Sequence, residues 1–419
     1  MALTSAAAAL AATTARAVLF PPPALARFHE IGPAQQGHSG SPAAPETAGT
    51  GVDVAGPAAV LVAEALSAVA DAATPALVAA AAARTSVPPD PAGRGLFVAA
   101  LRTQAAGVEG ERGLDVEVID AGHPFPFDGT EAAMRTWFAD HPSITIAAPA
   151  AGGEAVQQRA MARRALAAAR GLQEGAVALA AAFGRAEDLV YLESPALDLL
   201  AIGSGEAVLR PLQALVDRLA ANRALHAVIC APVEGFVGAP RDFIRVRADT
   251  LKAALVALEA AAPGRVASFC PNAGAGRSLR IATTTVIVDD VFAFSGSTAL
   301  SRRGLSFDSS LSLAVFDEAV ARGRGESLAA LRRALVAARL GLPPTLVPDD
   351  GAQLVRAIAA LVARGSGRLT TATLPVVDPP VTDSDRALWD RGGTVAPNPA
   401  DLAAWLALLG SGNVLAGGT

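Results

Sequence analysis

The chain of 419 residues carries 34 Lys plus Arg against 39 Asp plus Glu, a net charge of −5, with 52% hydrophobic and 4% aromatic residues. That length holds one large two-repeat domain or two to three compact units, and the charge balance gives no polybasic surface for nucleic acid or anionic lipid. Mean hydropathy is +0.39, but Ala supplies much of it and no run of about 18 strongly apolar residues occurs, so no transmembrane segment is expected.

Residues 1–56 read as an N-terminal arm and flexible linker, a short Ala helix followed by "FPPP" and the Gly/Pro/Ser/Thr stretch "GPAQQGHSGSPAAPETAGTG", too polar to bury its own core. The pattern predicts a helix over 57–84, broken at Pro75, then strands at 96–101, 114–120 and 144–149. One long Ala/Arg helix or a broken pair follows over 154–186. From there the alternation is regular: strand 188–194, helix 205–222, strand 226–232, helix 246–261, strand 265–270. A pair of strands at 279–288 and 291–295, a strand at 309–317 and a helix at 325–340 come next. The tail predicts a helix at 351–364 and a last one around "NPADLAAWLALLG", with Trp389 and Trp405 packing it onto the body. Strands alternating with helices imply an α/β fold, a mixed sheet covered by helices on both faces.

Several kinds of chemistry find little support. Cys230 and Cys270 are too few for a disulfide framework or a Cys-rich zinc site and read as buried apolar residues of a reducing cytoplasm. The histidines at 29, 38, 123, 141 and 226 lack HxxxH or HxxEH spacing, so no metal and no cofactor is expected. "GSG" at 203–205 and "GAG" at 274–276 lack a Walker Lys or a full GxGxxG context, and GxSxG is absent. "MALTSAAAALAATTARAVLF" has no basic stretch ahead of its apolar part, a poor secretory signal; its Ala/Thr/Arg content fits a transit peptide and equally a genome-wide Ala bias. A cytoplasmic bacterial protein is the expectation.

The stretch "LRIATTTVIVDDVFAFSGSTALSRR" at 279–303 carries the most information. Its order, with "DLVYLESPALD" and "VICAPVEGFVGAPRDFIRVRADTLKAAL" before it and "FDSSLSLAVFD" after it, resembles the second catalytic repeat of the phospholipase D superfamily. That family's motif is HxKxxxxD, with GSxN seven residues after the Asp. With Asp289 on the motif Asp, Gly296 and Ser297 fall on Gly-Ser, whereas His is replaced by Ala282, Lys by Thr284 and Asn by Ala299. The resemblance covers roughly 165–340. It implies a phospholipase D-like sheet over 165–345, a diverged first repeat over 57–164 and a helical tail over 346–419.

In that family one His attacks phosphorus, a second protonates the leaving oxygen, and Lys and Asn hold the phosphate oxygens. An Ala methyl has no lone pair, a Thr hydroxyl brings no charge, and loss of a nucleophile costs on the order of 10⁶ in turnover in hydrolases. The resemblance therefore implies a pseudoenzyme acting by binding, as a structural or adaptor component with other protein subunits as partners. The alternative is a phosphodiesterase or phospholipase using other residues, such as Ser297 or a histidine of the N-terminal half. Glu193, Thr284, Ser297, Arg302 and Arg303 are the residues left to hold a phosphate-bearing ligand; Arg302 or Arg303 could neutralise Glu193, although a solvated arginine pair just after the turn is the favoured reading. Asp289 and Asp290 read as turn residues, and Gly296 as close strand packing.

Overall fold

The computed structural model describes residues 7–10, 16–20, 46–48, 52–55, 96–104, 172–202, 208–231, 241–274, 277–306, 308, 310–317, 320–321, 324–365, 369–370, 379–382 and 385–386. The helices expected over 57–84 and around 398–410, and the strands expected at 114–120 and 144–149, lie outside these residues, as do Trp389 and Trp405.

The central element is a mixed sheet. Its strands are β1 (Leu96–Gln104), β2 (Leu172–Gln173), β3 (Leu189–Glu193), β4 (His226–Cys230), β5 (Val266–Gly274), β6 (Arg277–Ile281), β7 (Thr284–Val288), β8 (Phe292–Gly296), β9 (Ser310–Asp317) and β10 (Leu369–Thr370). In space the order is β6-β5-β4-β3-β7-β8-β9-β1-β2, with Glu46–Ala48 outside β6 and β10 beside β5. The strands β3, β4 and β5 are parallel, and from β3 through β7, β8, β9, β1 and β2 every pairing is antiparallel. Strand Ala7–Leu10 with Arg16–Phe20 and Val52–Ala55 makes a separate three-stranded sheet.

The helices are α1 (Glu174–Gly184), α2 (Pro211–Ala221), α3 (Arg241–Ala261), α4 (Arg302–Ser306), α5 (Glu326–Leu340) and α6 (Gly351–Ala363). Helices α2 and α3 are the crossovers that parallel strands require. Leu179, Leu215, Leu219, Leu251 and Leu255 of α1, α2 and α3 pack on one face of the sheet with Val190, Val286 and Phe294. On the other face Val336, Leu340, Leu354 and Ile358 of α5 and α6 pack with Tyr191, Val228 and Ile287. A strand covered on both faces needs no polar alternation, which is why β3 reads "LVYLE" and is buried throughout.

Local signals set the element ends. Pro211 sits in the first turn of α2, where its missing N–H costs nothing. Asp350 caps α6 by accepting from Gln353 N at 2.8 Å, and Gly341 ends α5 at φ 68°. The α/β expectation holds, and 188–194, 226–232, 265–270, 291–295 and 309–317 each contain a strand.

Two expectations need correction. The short Ala helix expected near the N-terminus is the antiparallel strand pair Ala7–Leu10 and Arg16–Phe20. The run 279–288 is two strands, β6 pairing with β5 and β7 with β3 and β8, because the chain bends at Ala282–Thr283 and changes partners there. Of the long helix or broken pair expected over 154–186, the described part is β2 followed by α1 from Glu174, and 154–171 lie outside the described residues. Leu96–Gln104 pairs along its length with β9, so it belongs to the same sheet as the segment 189–317.

Candidate functional site

The positions matched to HxKxxxxD and GSxN lie on the hairpin β7–β8 and the bends that flank it. Period-2 alternation sends Thr284, Val286 and Val288 to the face under α1, α2 and α3, and Thr285 and Ile287 to the face under α5 and α6. Glu193 lies opposite Thr285 and shares a face with Tyr191, so the sheet separates Glu193 from Thr284.

Thr284, at the lysine position, is fully buried, 0% exposed. Its hydroxyl is 2.8 Å from that of Ser194, and Ser194 Oγ also accepts from Leu300 N at 3.1 Å. Along the neighbouring strand ends, Thr298 Oγ1 lies 2.7 Å from Ser310 Oγ and accepts from Ser312 Oγ at 2.8 Å. The ends of β3, β7, β8 and β9 thus carry hydroxyls that bond one another and adjacent backbone. Ala282, at the histidine position, occupies the bend before β7 and is half-buried.

Gly296 and Ser297 are committed to the strand pairing. A Cβ on Gly296 would lie 2.4 Å from Leu311 O and from Ser312 Oγ, so only glycine lets β8 approach β9 this closely. Ser297 N donates to Leu311 O at 3.0 Å, Ser297 Oγ donates to the same oxygen at 3.2 Å, and that hydroxyl accepts from Leu311 N at 3.1 Å. Ala299, at the asparagine position, packs on α4: a Cβ on Gly304 would lie 2.4 Å from Ala299 O and 3.0 Å from its Cβ.

The two aspartates do more than turn the chain. Both take left-handed conformations, φ 53° and 56°, with Val291 N donating to Val288 O at 3.0 Å, the two-residue geometry that suits a twisted hairpin. The Asp289 carboxylate accepts from the backbone N–H groups of Glu187, Asp188 and Leu189 at 2.8, 2.8 and 3.0 Å, tying the hairpin tip to the start of β3. Asp290 is bound by Arg332 of α5, Nε to Oδ1 at 2.7 Å and Nη2 to Oδ2 at 2.9 Å, with both side chains buried.

The counter-charge of Glu193 is Arg339, a correction to the pairing with Arg302 or Arg303. Arg339 Nε and Nη2 donate to the two carboxylate oxygens at 2.9 and 3.0 Å, and Tyr191 Oη donates to Oε2 at 2.9 Å. Arg303 instead pairs with Asp308 at 2.7 Å near the surface, and Arg302 N donates to Asp198 Oδ2. Sequence order hid this pairing because Arg339 is 146 residues from Glu193; its place on the inner face of an amphipathic helix was the available signal. Burial, and then the Glu193 charge, push the Tyr191 hydroxyl and the Cys230 thiol well above their ordinary values. Burial opposes the charge on Arg339, but the Glu193 carboxylate outweighs it and holds the guanidinium protonated.

His226 is the one histidine among the described residues. It begins β4, opposite Leu189, at the far end of the strands from Thr284, with Nδ1 2.7 Å from Ala224 O. Near Ser194 the charged group is Arg247 of α3, whose guanidinium donates to Pro195 O. Cys230 and Cys270 are buried. Among the described residues no group of three or more His, Cys, Asp or Glu could hold a metal ion, and no helix is long and apolar enough to cross a membrane.

No family model and no curated protein matches the chain. Among solved structures it matches Nuc, a phospholipase D family member from Salmonella typhimurium, at 14% identity over 40% of this chain and 88% of that one, with a TM-score of 0.27. It also matches NucT from Helicobacter pylori, at 13% identity over 40% and 89% with a TM-score of 0.27. Phosphatidylserine synthase from Haemophilus influenzae Rd KW20 matches at 13% over 44% of this chain and 42% of that chain, with a TM-score of 0.30. The chain is similar in fold to phospholipase D family members.

Proposed function

We propose that this chain is a phospholipase D-like protein whose second repeat has lost phosphodiester chemistry, and that it works by binding, as a structural or adaptor component of a larger bacterial assembly in the cytoplasm. The observation that carries this reading is Thr284, fully buried with its hydroxyl engaged by Ser194. The position matched to the phosphate-binding lysine is a buried hydroxyl bonded to Ser194 and presents no charge to a ligand. The matched nucleophile position holds a methyl group at Ala282, which can neither attack phosphorus nor shuttle a proton. Ser297 is engaged at both N–H and hydroxyl by Leu311, which supports a bridging role in the sheet rather than that of a nucleophile.

The test is hydrolysis of bis(p-nitrophenyl) phosphate and of phosphatidylcholine vesicles by the purified full chain, beside Thr284→Ala and Ser297→Ala. The expected result is no turnover above the buffer rate for any of the three. Turnover that disappears in Ser297→Ala, with thermal unfolding still cooperative, would replace this reading with that of an enzyme using non-standard residues.

A further inference from the structure

We draw no further inference here: the strongest candidate, the exposed apolar side of α5 formed by Ala330, Ala334 and Ala338, carries nothing because nothing in the structure shows what covers it.

Discussion

At the scale of single residues, Asp289, Asp290, Glu193 and Ser297 are each bound by groups from other elements of the fold. The Asp289 carboxylate receives three backbone N–H groups, so Asp289→Ala should cost about 2–4 kcal/mol in chemical denaturation. Asp289→Asn should cost less, because Asn tolerates the left-handed turn and keeps one acceptor oxygen. Glu193 and Arg339 behave as a unit. Glu193→Ala leaves a buried guanidinium without its carboxylate and should cost about 3–5 kcal/mol, whereas Glu193→Leu combined with Arg339→Met and Tyr191→Phe, which removes the hydroxyl that Glu193 accepts from, should come close to wild-type stability. The same cluster sets a pH limit. Cys230 and Tyr191 are raised above their ordinary 9.0 and 10.0 chiefly by burial and then by the Glu193 charge, so above those values the unfolded chain releases protons that the folded chain retains. Stability is therefore full below about pH 9 and falls above it, first through Cys230 and then through Tyr191, by up to about 1.4 kcal/mol per pH unit for each group. Cys230→Ala should move the onset of alkaline unfolding from near pH 9 toward pH 10, measured by denaturant titrations across that range. Ala282, Thr284 and Ala299 could be placed on the motif register from the sequence. The partners of Glu193 and Asp290 could not, since Arg339 and Arg332 reach β3 and the β7–β8 turn across many residues of chain, and only folding puts them there.

At the scale of elements, the hairpin β7–β8 is held from three sides: β3 by the Asp289 cap, β9 by Gly296 and Ser297, and α5 by Asp290 with Arg332. Gly296→Ala would put a methyl 2.4 Å from the Leu311 carbonyl oxygen and from Ser312. It should destabilise the chain by more than about 2 kcal/mol, read by thermal unfolding, because the atoms in the way belong to backbone as well as side chain. Thr284→Val keeps the shape and removes the bond to Ser194; it should cost about 1–2 kcal/mol and change no binding function. Most strands from 188 onward were legible because a β-branched or Leu-rich run bounded by Gly, Pro or Asp has few other solutions. The break at Ala282–Thr283 was not, since the three threonines that follow Ala282 favour a continuous strand and no Gly or Pro marks the bend. The start of α1 was hidden for a related reason, as Ala-rich sequence on either side of Leu172–Gln173 favours helix by propensity and the sheet edge overrides it.

At the scale of the molecule, one sheet with helices on both faces organises most of the described chain, and hydroxyls at the ends of β3, β7, β8 and β9 bond one another and adjacent backbone. Restoring the motif letters should fail for that reason. Ala282→His with Thr284→Lys places a cation where Thr284 is fully buried, and the variant should lose stability and gain no hydrolysis, since a buried charge without a partner is expensive. Which subunit the protein would bind is not written in composition or spacing, because a binding surface carries no fixed pattern of residues as a nucleophile and its base do. The most direct measurement of the central claim, that this centre is filled and structural, is thiol accessibility at Thr284→Cys in the native full chain. Cys230 and Cys270 are themselves buried. The account predicts that an aromatic disulfide reagent leaves the new thiol unmodified until the protein unfolds. Rapid modification of Cys at 284 in the folded state, with Cys230 and Cys270 still protected, would show an open pocket there and contradict it.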